Sequence, residues 1–217
     1  MKFDDYHTMQ GSYFITGIDT DIGKTYFTGK LAKTLYENGQ SVITQKLIQT
    51  GCHQYADDVL THRQMMGIDL LDCDKTGLTM PCVLSYPCSP HLASRIDNKV
   101  IDLDNIYQTT CQLEKMFDIV LIEGAGGLFV PINNELFLID YIKIRQYPVI
   151  LVTSGRLGSI NHTILSINAI LKQGLTLYAV AYNHFDDHQD KLIANDTQNF
   201  LKSYLKQHCP RAQWWEF

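Results

Sequence analysis

Gly17, Gly23, Lys24 and Thr25 carry the strongest chemical signal in the sequence. They belong to Gly17-Ile18-Asp19-Thr20-Asp21-Ile22-Gly23-Lys24-Thr25, which follows the short apolar run Tyr13-Phe14-Ile15 and opens an amphipathic segment. Binding a phosphate takes backbone N–H groups aimed at the anion, a turn open enough to wrap it, a positive side chain and a hydroxyl for Mg²⁺. A strand, a glycine-bounded loop and a helix N-terminus supply all four. Five residues separate Gly17 from Gly23, one more than the usual spacing of such loops. A surface turn with a capped helix start is the bland alternative, and it leaves Asp19-Thr20-Asp21 without a task.

A second acidic and glycine-rich element is Glu123-Gly124-Ala125-Gly126-Gly127, placed after the apolar run Ile119-Val120-Leu121-Ile122. A carboxylate at the tip of a buried strand can hold Mg²⁺ directly or through its water, and the glycines allow close approach of a phosphate. Lys46 and Thr50 end another strand-like segment, and ligands of open α/β sheets sit beyond the carboxyl ends of strands. Both residues are therefore expected beside the phosphate loop, with Lys46 at the tip of the strand next to it. Of Asp57 and Asp58, one is expected to cap the helix that follows, leaving the other free for a metal or nucleotide. Gly158-Ser159-Ile160-Asn161 leads into a further helix, whose N-terminus is a candidate carboxylate site.

Elements that would position these groups alternate along the chain. Phe27, Leu31 and Leu35 lie at helical spacing over 24–38, Gly39 suits the helix end, and 41–47 reads as a second strand. Two strands joined by such a helix form a right-handed βαβ unit in a parallel sheet. Further helices are expected over 102–116, 135–145 and 192–205, with 155–162 leading into another that runs through 172, and strands over 118–122, 148–153 and 175–182. Pro81, Pro87 and Pro90 break the pattern between 67 and 94, and a rigid turn is expected at 87–91. Residues 1–11 read as a loosely held lead-in, and 184–188 as an acidic loop capping the next helix. Trp214 and Trp215 are expected to dock on the protein's own core.

The chain has 217 residues without a linker, a repeat or a charge block, so the reading is an α/β fold: one domain, a mostly parallel central sheet and helices on both faces. A formal net charge of -5 argues against an extended nucleic-acid or lipid-headgroup surface and for small-molecule partners. No apolar run approaches the roughly 20 residues of a membrane span, and the start lacks a signal core, so a cytoplasmic protein is expected. Cys52, Cys73, Cys82, Cys88, Cys111 and Cys209 form no CxxC pair, which fits free thiols in a reducing compartment. Cys88 and His91 lack the second ligand pair that a zinc site needs.

Taken together, the phosphate loop, Lys46 with Thr50-Gly51, Asp58, Ser89-Pro90-His91, Glu123 to Gly127, Gly158 to His162 and Asn183 resemble dethiobiotin synthetase, in that family's order and over about residues 13–185. The resemblance implies a P-loop NTPase fold and an ATP- and Mg²⁺-dependent carboxylase. Its substrates would be 7,8-diaminononanoate and CO2, it would release ADP and phosphate, and it would work as a homodimer with the site at the interface. It further implies that Lys24 and Thr25 serve phosphate and Mg²⁺, that Asp58 and Glu123 complete the metal site with Thr25, and that Lys46 is catalytic. Thr50, Gly158, Ser159 and Asn161 would contact substrate. Asp21, Ile22, Gly23, Lys24, Thr25, Tyr26, Asp58, Glu123, Gly124, Ala125, Gly126 and Asn183 would contact nucleotide, with Asn183 on adenine. Leu47 stands where the family usually has proline, and the family's C-terminal adenine loop has no clear match after Asn183. A nucleotide-switch ATPase of the partition or cell-division type is the rival reading. Such proteins carry a signature lysine near the start of the loop, where this chain has Asp19.

Overall fold

The computed structural model describes residues 8–187 and 190–217. Part of the expected lead-in (residues 1–7) and His188 of the acidic stretch lie outside the described residues. Six parallel strands form the central sheet in the order β2-β5-β1-β6-β7-β8: β2 Val42–Lys46, β5 Ile119–Gly127, β1 Gly11–Gly17, β6 Val149–Ser154, β7 Leu177–Asn183 and β8 Gln213–Glu216. A short parallel pair, β3 Gln49–Thr50 with β4 Val83–Leu84, stands apart from it.

Buried on both faces, the central strands are apolar nearly throughout, as parallel strands under two helical layers must be. Side-chain alternation divides them between two cores. Tyr13, Ile15, Leu121, Ile150 and Val152 pack with Phe27, Leu31 and Leu35 of α1 (Lys24–Glu37). Phe14, Val120, Ile122 and Leu151 pack on the opposite face with α5 (Leu103–Met116), α6 (Leu138–Arg145) and α7 (Ser159–Lys172), through Ile106, Leu113, Ile139, Ile142, Ile167 and Ile170. Burying each large aliphatic side chain is worth about 1.5–3 kcal/mol, so these two layers dominate the fold's stability.

Several expectations need correction. β5 lies between β1 and β2, so β2 is not the strand next to the phosphate loop. Strand β5 runs on through its glycines to Gly127, with a register shift opposite Ile15 to Gly17. Pro87 and Cys88 do bend the chain, but the last two residues of the turn expected at 87–91 already belong to a helix, α4 (Pro90–Ile96), because a proline at the first helical position lacks only an N–H that would be unpaired there. Neither aspartate caps α2 (Asp57–Met66): its N-cap is Ala56, and both acids sit in the first turn. Asp190 caps α8 (Lys191–His208) by accepting from Leu192 and Ile193 N–H, so the preceding acidic stretch does not. A short α3 (Asp72–Lys75) also interrupts the segment expected to be irregular. Trp215 is fully buried against Phe27, which places the C-terminal tryptophans on the protein's own core.

Candidate functional site

The ends of β1, β2 and β5 and the starts of α1, α2 and α4 meet at one cleft of about 820 Å³ at the carboxyl edge of the sheet. The phosphate loop leaves β1 at Gly17 and enters α1 through Gly23, whose φ of 100° lies in the left-handed region. A Cβ at Gly23 would come within 2.5 Å of Asn183 Nδ2, so backbone angle and space both require glycine. No side chain caps α1, and its first turn holds no acidic residue. Its first N–H groups are therefore left to an anion, with the positive end of the helix dipole behind them.

Lys24 is nearly buried and donates from Nζ to the Asp19 carbonyl at 2.8 Å, folding back over the loop. Burial first, and then the nearby Lys46 ammonium, push its pKa down to about 8. Asp19 is itself ion-paired with Arg156 from the loop after β6, which ties the phosphate loop to the α7 side of the molecule. The N–H of Thr20 and the Arg156 pair outweigh partial burial and hold the Asp19 carboxyl below its ordinary value.

The interposed β5 sets the centre of the cleft. In the β2–β5 register Lys46 is opposite Glu123, and Lys46 Nζ donates to Glu123 Oε1 at 2.9 Å and to the Gly124 carbonyl at 3.2 Å. Lys46 is also ion-paired with Asp58, which settles which of the two aspartates faces the site. Thr25 Oγ1 donates to the same Glu123 oxygen at 2.9 Å. Burial pulls the Lys46 pKa down, but Glu123 and Asp58 outweigh it and raise the pKa above that of an ordinary lysine. Glu123 is fully buried; desolvation works against its charge, yet Lys46 and His62 hold the carboxyl well below the usual range. Both groups are thus charged at neutral pH, and Lys46 acts as a fixed positive charge rather than as a base.

Thr25, Asp58 and Glu123 offer a hydroxyl and two carboxylates, hard oxygen donors of the kind Mg²⁺ prefers. The Lys46 ammonium already bonds both carboxylates, so the place is built for positive charge. Among the described residues no group of three His, Cys, Asp or Glu side chains is arranged to hold a metal alone.

Of the residues singled out from sequence, Asp21, Gly23, Lys24, Thr25, Tyr26, Lys46, Thr50, Asp58, Glu123, Ala125 and Gly126 all line this cleft. Others are placed elsewhere. Ile22 is buried beneath the loop, and its carbonyl accepts from Asn183 Nδ2 at 3.0 Å. Gly124 is small for packing, since a Cβ there would stand 2.8 Å from both Phe14 and Leu138. Gly158, Ser159 and Asn161 begin α7 without lining the cleft of their own chain, and Leu157 and Leu165 beside them are largely exposed.

Sequence reasoning passed over His62, Thr44, Arg63 and Asp74. His62 is bonded to Glu123 Oε2 at 3.0 Å and to Thr44 Oγ1 at 3.0 Å, and Arg63 links Thr44 to Asp74 behind it. One signal was available: His62 follows Asp58 by four residues, so both share a face of any helix there.

The family model described as an AAA domain matches residues 11–207. The chain is similar to the ATP-dependent dethiobiotin synthetase BioD 2 of Pasteurella multocida, 52% identical over 200 residues that cover 92% of this chain and 93% of that protein. It is similar to the ATP-dependent dethiobiotin synthetase BioD of Chlorobaculum tepidum, 42% identical over 209 residues that cover 96% and 87%. Among solved structures, the signal recognition particle receptor FtsY from Elizabethkingia anophelis in complex with GDP has a TM-score of 0.53 at 14% identity, covering 98% of this chain and 58% of that one. At that identity the likeness concerns the fold alone.

Proposed function

This chain belongs to the ATP-dependent dethiobiotin synthetase family, and from that premise we propose that it uses ATP to close a cyclic urea on 7,8-diaminononanoate and CO2, releasing ADP and phosphate. The observation that carries the reading is the meeting of two buried lysines, a hydroxyl and two carboxylates at the ends of β1, β2 and β5. The match over 11–207 and the continuous sheet support one ATP-binding domain.

CO2 captured by one amine of the substrate gives a carbamate, a weak nucleophile that must approach a highly anionic nucleotide. Catalysis of such a transfer is mostly positioning and charge neutralisation. Lys24 and the free N–H groups of the loop would hold the phosphates, while Lys46, kept protonated by its two carboxylates, would bring carbamate and γ-phosphate together. Thr25, Asp58 and Glu123 would hold Mg²⁺, which when bound supplies neutralisation of phosphate charge. The second amine then attacks the carbonyl of the mixed carbamic-phosphoric anhydride and expels phosphate, so no covalent protein nucleophile is needed. Thr50 lies in the cleft where the diamine would sit, and Asn183, bonded to the loop through Ile22, would contact the base.

A two-fold dimer completes the reading. Gly158 caps α7 with a φ of 94° and without a side-chain hydrogen bond; the Ser159 N–H donates to the Arg156 carbonyl, and the next N–H groups of the helix start would take the substrate's carboxylate tail. It does not line its own chain's cleft and is flanked by exposed Leu157 and Leu165, which supports a site completed by a second copy. The deciding experiment follows ADP release with ATP and Mg²⁺ while bicarbonate and the diamine are each left out. Turnover that requires both, with the cyclic urea found by mass, is expected. Turnover indifferent to the diamine would overturn the proposal in favour of a nucleotide switch.

A further inference from the structure

We infer that His62 is a positioning residue for Glu123, held in place by Thr44 and the Arg63–Asp74 pair. The inference rests on the reading of Glu123 as a ligand of nucleotide-bound Mg²⁺. Glu123 is fully buried, and its two oxygens are used differently. Oε1 accepts from Thr25 and Lys46, which line the cleft with Glu123, whereas Oε2 meets His62 Nε2 at 3.0 Å. Asp58 and His62 are one turn apart on α2, so this helix presents one residue to Lys46 and the other to Glu123.

Behind the ring, hydrogen bonding has a single sense. Arg63 donates to Thr44 Oγ1 at 2.9 Å and to the Thr44 carbonyl at 3.3 Å. The same guanidinium makes a two-pronged contact with Asp74, at 2.9 Å to each oxygen. Asp74 is fixed in turn by Thr79 at 2.6 Å and the Leu71 N–H at 2.8 Å. With its oxygen already accepting from Arg63, Thr44 can turn its hydroxyl hydrogen towards His62 Nδ1, 3.0 Å away. The imidazole then carries its hydrogen on Nε2 and donates it to the carboxylate, since an unprotonated Nε2 would set two lone pairs against each other. Thr44, His62, Arg63 and Asp74 are all buried, so the chain is sheltered from water. A carboxylate held this way cannot rotate, and Oε1 keeps its aim on the place where Thr25 and Asp58 also point. Partners that orient a metal's ligands typically matter 10- to 100-fold in affinity or activity.

Nucleotide binding by calorimetry separates positioning from mere structure, using ADP with titrated Mg²⁺ and ADP in EDTA. In His62→Leu, Mg²⁺-assisted binding is expected to weaken about 10- to 100-fold while EDTA binding stays within about 3-fold. His62→Gln places an amide N–H near the same Glu123 oxygen and is expected to recover most of that loss. Should His62→Leu fail to fold, Thr44→Val carries the test: it removes the hydroxyl that orients the ring and is expected to weaken Mg²⁺-assisted binding selectively, by about 3- to 10-fold. An unmoved Mg²⁺ dependence, equal losses with and without Mg²⁺, or no recovery in His62→Gln overturns the inference. Glu123→Gln is the control. If its Mg²⁺ titration is also unshifted, the metal reading of Glu123 falls and the inference with it; if only His62→Leu is silent, the positioning role alone falls.

Discussion

Replacing Lys46 with methionine removes an ammonium that donates at 2.9 Å to Glu123 and 3.2 Å to the Gly124 carbonyl and pairs with Asp58, while keeping most of the apolar stem. Two costs follow, and their sizes differ. Truncating one partner of a buried ion pair typically destabilises by about 3–5 kcal/mol. Here Glu123 keeps Thr25 and His62, and Asp58, with 21% of its side chain exposed, regains water. A smaller loss of about 1–3 kcal/mol in denaturant titration is therefore expected. Turnover suffers more specifically: one preorganised charge in a closed site is worth about 10²- to 10³-fold, or about 2.7–4 kcal/mol of barrier. Nucleotide binding should stay within about 3-fold, because Lys24 and the loop N–H groups remain. Steady-state ADP release at saturating ATP, diamine and bicarbonate, beside calorimetric ADP binding, measures both quantities. A folded Lys46→Met protein that turns over within about 3-fold of the parent, or one that loses binding and turnover in parallel, would refute the reasoning.

Lys24, with its pKa pushed down to about 8, should gain a proton when an anionic nucleotide binds. At pH 8 the uptake is expected to be about half a proton, falling towards zero at pH 6.5, as read from ADP calorimetry in two buffers of different ionisation heat; uptake persisting in Lys24→Met would assign it elsewhere. Asp74 is pushed up by burial but pulled lower still by Arg63, and its folded-state pKa ends below the ordinary 3.8. Its stabilising contribution is therefore present above pH 3.8 and lost as pH falls through the folded value. Asp74→Asn, which leaves the buried Arg63 uncompensated, should cost about 3–5 kcal/mol at pH 7 and flatten that acid limb; equal urea midpoints in parent and variant would contradict the pairing. Co-refolding inactive Lys46→Ala with inactive Asn161→Ala should restore about a quarter of parental activity, since half the dimers are mixed and half their sites whole. Recovery no greater than the mean of the two variants would place both residues in one chain's site.

The sequence by itself determined whatever depends on neighbours along the chain. A glycine-bounded turn between an apolar run and Gly23-Lys24-Thr25 announces a phosphate loop, because the strand end, the free N–H groups and the helix start are local. The apolar runs of β1, β5 and β6 likewise announce a sheet covered on both faces, since strand residues are mostly apolar where neither face meets water. Strand order was beyond its reach: insertion of β5 between β1 and β2 is a long-range choice, and only that choice sets Lys46 opposite Glu123. The sequence could not choose between Asp57 and Asp58 either, because either aspartate could serve as a cap; it is the packing of α2 over β2 that turns Asp58 to Lys46 and His62 to Glu123. Burial decided the rest, for the pKa of Lys24 lies well below and that of Lys46 above the ordinary lysine value of 10.5 although the residue type is the same. Two carboxylates hold one lysine charged while desolvation weakens the other, and that difference arises only from the three-dimensional arrangement.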